Sequence, residues 1–242
     1  MLREFFHGSL RLESGGFRPG FTLALQGLTA ELKTRDAQTA LAIREIVSED
    51  SLLGFLTGQP VRFRFRGLKT GRSSYEGGEG LLTVRGGKDA FMDFRCDVKS
   101  LGLEDLTWLN PSSLEGSTGM LKGTLTLRSD ARRDPVLGME LLVQEPGGLI
   151  QAQFFDVLRP YLPAFKEEQK LRALTAEKKL LPYRNAALIV SMKESDRMKV
   201  FLHIMIPGYN VNLNLNLEIK ADKKNAFTEI AQLMGLFEVA LP

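Results

Sequence analysis

The chain has 242 residues, of which 43% are hydrophobic and 25% are charged, and its formal net charge is +3. These proportions are typical of a globular protein with a sizeable core, and so small a net charge of mixed sign argues against nucleic acid as a partner. The single cysteine, Cys96, excludes an intramolecular disulfide. No apolar run is long enough to span a bilayer, and residues 1–16 lack the features of a signal peptide. We therefore expect either a cytosolic protein or the soluble part of a longer one.

The first third of the chain predicts short strands separated by turns. Residues 9–28 predict two strands, with glycine and proline between them and Gly27 at the end of the second. Residues 39–47 predict a third strand, and residues 51–56 predict a single helical turn.

Three arginines occupy one face of the strand predicted at residues 61–66: Arg62, Arg64 and Arg66. Phe63 and Phe65 occupy the other face, whereas a groove for nucleic acid needs its aromatic residues on the basic face. An ordinary solvated strand face explains the arginines, and the alternative is a site for anionic headgroups.

Two segments about forty residues apart share the form apolar-x-apolar-x-Gly-Leu: LALQGL at residues 23–28 and FRFRGL at residues 63–68. The repeat predicts a β module that is used twice, with glycine marking a bend or bulge at the strand end. Turn residues separate most of the strands predicted further on, at residues 80–85, 89–98, 119–128 and 136–144.

The pattern changes after the Pro-Gly-Gly segment at residues 146–148. Apolar residues at helical spacing predict helices at residues 149–161, 166–180 and 223–238, and a strand is predicted between them at residues 186–194.

The clearest pattern is a hairpin between residues 198 and 220, with its turn at Pro207-Gly208-Tyr209-Asn210. Apolar and polar residues alternate on both strands, so one face is apolar. This face must be covered by a second sheet, a helix or a ligand, and the predicted helices are as good a cover as a lipid. The candidate lipid-binding residues are Val200, Leu202, Ile204, Val211, Leu213, Leu215, Leu217 and Ile219.

No residue pattern predicts catalysis or metal binding. His7 and His203 lie near opposite ends of the chain, and no spacing of histidine and cysteine is typical of a zinc site. A serine nucleophile with a histidine base is equally lacking. We therefore expect a protein that is not an enzyme and that has no cofactor and no metal.

These observations predict a mainly β, β-rich α+β fold. We expect a long, curved antiparallel sheet that is groove-like or taco-like, with a few helices in the C-terminal half. Residues 1–145 are interpreted as a β-rich module and residues 146–242 as a helix-plus-hairpin region that continues the same sheet. A single domain is the alternative.

Three stretches resemble one known family. Residues 8–68 carry GSLRLESGGF, FTLALQGL, TALAIREIVSED, SLLGFLTGQP and VRFRFRGL in that order. Residues 115–130 read EGSTGMLKGTLTLRSD, and residues 145–163 read EPGGLIQAQFFDVLRPYLP. The first stretch is similar to the N-terminal module of the AsmA-like superfamily of Gram-negative envelope proteins, which includes TamB and YdbH. The second is similar to its Ser/Gly-rich strands, and the third to a strand-to-helix passage late in such proteins.

The resemblance implies a sheet that is curled into an open groove, with an apolar interior for acyl chains. It implies a role in moving lipid between membranes, and a periplasmic protein that is anchored to the inner membrane by a segment outside this chain. The implied partner is phospholipid or another acyl lipid, and an envelope protein is the second candidate partner. The alternative function is a scaffold for envelope or secretion-system assembly, with a closed core and a sheet edge that binds a partner strand.

Overall fold

A computed structural model describes residues 9–33, 38–70, 77–87, 89–107, 111–130, 136–158, 175–176, 179–192 and 197–220. The strands within these ranges are β1 Leu10–Arg18, β2 Thr22–Lys33, β3 Gln38–Ser48, β4 Val61–Thr70, β5 Gly78–Arg85, β6 Phe91–Gly102, β7 Met120–Asp130, β8 Val136–Val143, β9 Gly148–Gln151, β10 Leu180–Tyr183, β11 Asn185–Met192, β12 Arg197–Ile206 and β13 Val211–Lys220. The helices are α1 Leu53–Leu56, α2 Pro111–Leu114 and α3 Phe154–Leu158, and 3-10 turns occupy Leu103–Leu106 and Pro207–Tyr209.

Eleven strands form one open antiparallel sheet in the order β1-β2-β3-β4-β5-β6-β7-β8-β11-β12-β13, and β9 pairs separately with β10. This arrangement confirms the prediction of a mainly β fold with one long antiparallel sheet. The sheet continues past residue 145, because β8 pairs with β11. The division of the chain at that residue stays a prediction. Among the helices of the described ranges, none has the length and the apolar composition that crossing a membrane would require.

Strand alternation and register together give the sheet one apolar face, which we call the inner face. Side chains of successive strands that lie directly opposite one another form apolar rows across it. One such row runs from β4 to β12 through Phe63, Leu82, Phe94, Leu127, Leu137, Met192 and Met198.

Glycine bulges interrupt the alternation on β2 and β4. Gly27 and Gly67 both have positive φ, and the register between β4 and β5 shifts beside Gly67. Phe65 and Leu68 are three residues apart, yet both pack in the same apolar cluster. The predicted bulges are therefore present, but inside the strands. Gly27 does not end β2, which continues to Lys33, because one left-handed residue shifts the alternation without stopping the ladder.

A second layer, which consists of β9, β10 and α3, covers part of the inner face. Its residues Ile150, Phe155 and Leu181 are buried in one cluster with Leu141 and Ile204 of the large sheet. Since β9 and β10 lie between β8 and β11 in the chain, the layer packs near the strand ends where β8 finishes and β11 begins.

The helix prediction for residues 149–161 is wrong at its start. Leu149 lies in β9, and its backbone exchanges hydrogen bonds of 2.8 and 3.1 Å with Thr118. Pairing with distant residues overrides the local apolar spacing here, and only Phe154–Leu158 is helical within the described part of that segment. The end of the helix predicted at residues 166–180 is also wrong, because Leu180 begins β10. Most of that segment, and all of residues 223–238, lie outside the described residues.

Candidate functional site

The inner face is exposed at the β1 end of the sheet. Leu10 and Phe17 are each 71% exposed and Leu12 is 46% exposed, whereas Val61 and Phe65 on β4 are buried. We call the exposed region the open apolar face. It consists of the inner-face residues of β1 to β3, namely Leu10, Leu12, Phe17, Leu23, Leu25, Leu28, Ile43 and Ile46.

Register explains why these side chains share one face. Leu12 lies opposite Leu28, which lies opposite Ile43, and Ile43 packs against the edge of the main buried cluster. The row therefore runs from solvent on β1 into the core without a polar residue. The inner positions of β1 and β2 offer hydrocarbon contacts. On β3 the inner-face hydroxyl of Ser48 is buried, and it accepts a hydrogen bond of 2.7 Å from the backbone N–H of Leu23.

The candidate lipid-binding residues of β12 and β13 lie on the same inner face, at its buried end. Five of them are buried: Val200, Leu202, Ile204, Leu213 and Leu215. Val211 and Leu217 are half-buried, and the side chain of Ile219 lies outside the described residues. Leu202, Ile204, Leu213 and Leu215 belong to the same buried cluster as side chains of the second layer. Their assignment to lipid stays a prediction.

Sequence reasoning did not single out the open apolar face. Its signal was present in the alternation of Leu10, Leu12, Leu23 and Leu25, but an identical alternation is found on strands that end up covered. What distinguishes β1 is its place at the edge of the sheet, where β2 is its partner.

The predicted arginine patch lies on the outer face and is paired with carboxylates. The guanidinium group of Arg62 donates hydrogen bonds of 2.9 Å from Nε and Nη2 to the two carboxylate oxygens of Asp50. These bonds from Arg62 hold the pKa of Asp50 below its usual value. Arg64 likewise donates a hydrogen bond of 2.8 Å from its Nε to Glu49 Oε1.

Arg66 lies opposite Glu45 on β3 and opposite Glu79 on β5. The pKa of Glu79 is lowered mainly by the hydrogen bond from Lys99, and the charge of Arg66 adds to this effect. The patch is therefore a surface of mixed charge rather than a bare cationic site, and its assignment to anionic headgroups stays a prediction.

The thiol of Cys96 and the imidazole of His203 are two side chains with the potential for catalysis, and each has a structural role in the sheet. Cys96 is buried on the inner face, and burial, with a smaller effect of Asp97, raises the pKa of its thiol to about 11. The ring nitrogens of His203 lie 2.9 Å from Asn214 Oδ1 and 3.0 Å from Asn185 Oδ1. Within the described ranges, no three histidine, cysteine, aspartate or glutamate residues are grouped so that they could hold a metal ion.

No family model, no curated protein and no solved structure matches this chain. The features of this chain that bear on its function are therefore the open apolar face and the arrangement of the strands that carry it.

Proposed function

We propose that the chain is a non-enzymatic module that binds lipid, or transfers it between membranes, through the inner face of its sheet. The observation that supports this proposal is the exposure of Leu10, Leu12 and Phe17 on the face that elsewhere forms the core. A contiguous apolar surface left in water is unfavourable and is typical of a binding surface.

An acyl chain suits the chemistry of the open apolar face. The inner positions of β1 to β3 are lined by leucine, isoleucine and phenylalanine, so a ligand there gains from burial of hydrocarbon and needs no hydrogen bonds. Each methylene group that leaves water contributes about 0.8 kcal/mol. The paired arginines lie on the outer face, so this surface favours an acyl chain without selecting a headgroup.

The position of the second layer limits where the acyl chain rests. Ile150, Phe155 and Leu181 pack on the inner face near β8, β11 and β12. The ligand therefore contacts β1 to β3, and the candidate residues of β12 and β13 continue the apolar face behind the second layer.

The cellular setting belongs to the same proposal and is supported by the AsmA-like resemblance alone. We propose a cell-envelope protein of the periplasm that is anchored to the inner membrane in its full-length form. Its partner would be a phospholipid or another acyl lipid.

A pair of variants on β1 tests the lipid proposal. Leu12→Asp places a charge on the open apolar face, while Ser14→Asp adds the same charge to the same exposed strand on the opposite face. Protein purified without detergent is analysed by native mass spectrometry and titrated with a fluorescent acyl probe. We expect wild type and Ser14→Asp to carry lipid and bind the probe, and Leu12→Asp to lose both. Lipid-free wild-type protein that takes up no probe would refute the proposal.

A scaffold role is the second candidate, and the edge of β1 is the observation that favours it. Among the described strands β1 pairs with β2 alone, so its other edge is open to a partner strand. Hydrogen exchange separates the two functions. A partner strand would protect the backbone N–H groups of β1 from exchange, whereas an acyl chain accepts no hydrogen bond and would leave their exchange unchanged.

A further inference from the structure

Four exposed apolar side chains lie in two turns at one end of the sheet: Phe21, Leu53, Phe55 and Leu56. We call them the tip cluster. Leu56 is 81% exposed and Phe21 is 58% exposed. The turns that join β1 to β2, β3 to β4 and β5 to β6 all lie at this end, because consecutive strands are antiparallel.

Backbone contacts hold these turns together as one surface. The N–H of Leu52 donates a 3.0 Å hydrogen bond to the carbonyl of Phe21, which fixes the β1–β2 turn against the start of α1. The ring of Phe55 lies against Gly86 after β5, since a Cβ atom on Gly86 would be 3.0 Å from the ring. The apolar residues are therefore held in place and are not loose ends of separate loops.

Phe21 occupies a backbone conformation that does not suit it. Its φ is +56°, in the left-handed region, where a bulky side chain is sterically unfavourable and glycine or asparagine is preferred. Its ring is mostly exposed, so packing within the chain does not compensate. Neither backbone preference nor core burial accounts for an aromatic residue at this turn, and such strain points to a functional role.

The charges around the tip cluster are of both signs. The arginines of these turns and adjoining strand ends are Arg18, Arg62, Arg64 and Arg85, and the carboxylates are Glu49, Asp50, Asp89 and Asp130. Glu49 and Asp50 are already bound by Arg64 and Arg62. The guanidinium of Arg85 lies 4.8 Å from the ring centre of Phe91. These residues therefore provide both cationic and anionic groups beside the apolar side chains, as the two charges of a zwitterionic headgroup require.

We propose that the tip cluster is a peripheral membrane contact, which inserts its apolar side chains into the interface of a lipid bilayer. A fluid bilayer accepts projecting phenylalanine and leucine side chains without a complementary pocket, and its zwitterionic headgroups match the surrounding guanidinium and carboxylate groups. The proposal stands independently of lipid binding on the open apolar face. The two surfaces are adjacent, however, because Phe17 pairs with Leu23 next to the β1–β2 turn.

Flotation with vesicles tests the proposal on the full chain. One set of vesicles is phosphatidylcholine, and the other is phosphatidylcholine with one part in three phosphatidylglycerol. We expect wild type to float with both sets to a similar extent and with little dependence on salt, because the charged groups around the tip cluster are of both signs. Phe21→Asn should lower binding about tenfold or more, which is the cost of removing one buried aromatic side chain from a contact. The double variant Phe55→Ser with Leu56→Ser removes two apolar side chains and should lower binding further.

Two controls separate membrane contact from a structural role. Ile189→Ser removes an apolar side chain of similar exposure, 37% against 44% for Phe55, on the outer face of β11, and it should not change flotation. Phe21→Asn relieves the strained backbone, so its melting temperature should equal or exceed that of wild type. A clear fall in its melting temperature would overturn the argument.

Other results would also overturn it. Wild type that floats with neither vesicle excludes a membrane contact, and a dimer that dissociates in the tip variants would assign the surface to a second copy instead. The proposal is distinguishable from lipid binding on the open apolar face. Leu12→Asp should lose the acyl probe and still float, and the tip variants should bind the probe and fail to float.

Discussion

Gly27 on β2 and Gly67 on β4 adopt the same left-handed conformation, with φ of +65° and +67°. Arg44 of β3 lies between them in the register, and its side chain occupies the space beside Gly67, where an added Cβ atom would be 2.7 Å from Arg44 Cβ. An added Cβ atom on Gly27 would clash with the carboxyl end of Glu13. At both bulges glycine is therefore favoured for two reasons: its φ is positive, and a neighbouring side chain fills the space that a Cβ atom would need.

Alanine substitutions at these two glycines should lower the free energy of unfolding by different amounts, with the larger loss at Gly67. Gly27→Ala should lower the free energy of unfolding by about 1–2 kcal/mol, the cost of a left-handed non-glycine residue, because the flexible end of Glu13 can move away. Gly67→Ala should cost more, since Arg44 Cβ is fixed to the backbone of β3. Gly16→Ala on β1 is the control, because it has open space and no positive φ. Chemical denaturation measures all three, and equal losses at the two bulges would contradict this account.

Aspartate should destabilise the protein strongly at Leu215 and hardly at all at Leu12. Leu215 is 7% exposed within the main cluster, so Leu215→Asp buries an unpaired charge and should cost several kcal/mol, of the order of 4 or more, or prevent folding. Leu12→Asp lies at an exposed edge and should leave the melting temperature nearly unchanged. Circular dichroism melts of both variants check this. A stable Leu215→Asp protein would mean that the inner face is open to water at β13 as well.

Asp50→Asn should destabilise the protein slightly, and only at neutral pH. Arg62 lowers the pKa of Asp50 in the folded chain, so the ionised carboxylate stabilises the fold above its ordinary pKa. That contribution is lost as the pH falls through the lowered folded pKa. The melting temperatures of wild type and variant should therefore differ at pH 7 and converge at acidic pH, with a small difference because the pair is exposed. Asp93→Asn on β6, an exposed carboxylate of the same sheet, is the matched control.

The thiol of Cys96 should be unreactive while the chain is folded. Burial raises its pKa from 9.0 to about 11, so the reactive thiolate is scarce at pH 8. A raised pKa stabilises the folded state below pH 9, and this contribution is lost as the pH rises through about 11. Labelling with a thiol reagent at pH 8 should be slow in native protein and fast in denaturant. Equal rates would place Cys96 at the surface.

Local alternation was enough to predict the strands of the large sheet, because period-two patterning depends on neighbouring residues alone. The hairpin of β12 and β13 follows the predicted pairing, with Leu202 opposite Leu215, and Asn210 takes the positive φ expected of its turn. The start of the helix predicted at residue 149 failed because the partner of β9 is β10, about thirty residues further along the chain. Which segment pairs with which is not a local property.

The candidate site was harder to predict for the same reason. Leu12 and Leu215 have the same alternating pattern, and what separates an exposed residue from a buried one is whether a second layer lies over it. The strained conformation of Phe21 could not be predicted from the sequence, since an aromatic residue argues against a positive φ. Its position depends on the turn closing against α1.

The strand order has a consequence for how such a chain can change in length. From β1 to β8 each strand hydrogen-bonds to the strands before and after it in the chain, so a pair of strands could be inserted or deleted without rethreading any other segment. A unit of two strands also preserves direction, and the next strand then presents the same face to the interior. Gain or loss of a single strand would reverse the direction of every later one. Growth of this protein by hairpins would therefore lengthen a continuous hydrocarbon surface in steps of about 10 Å.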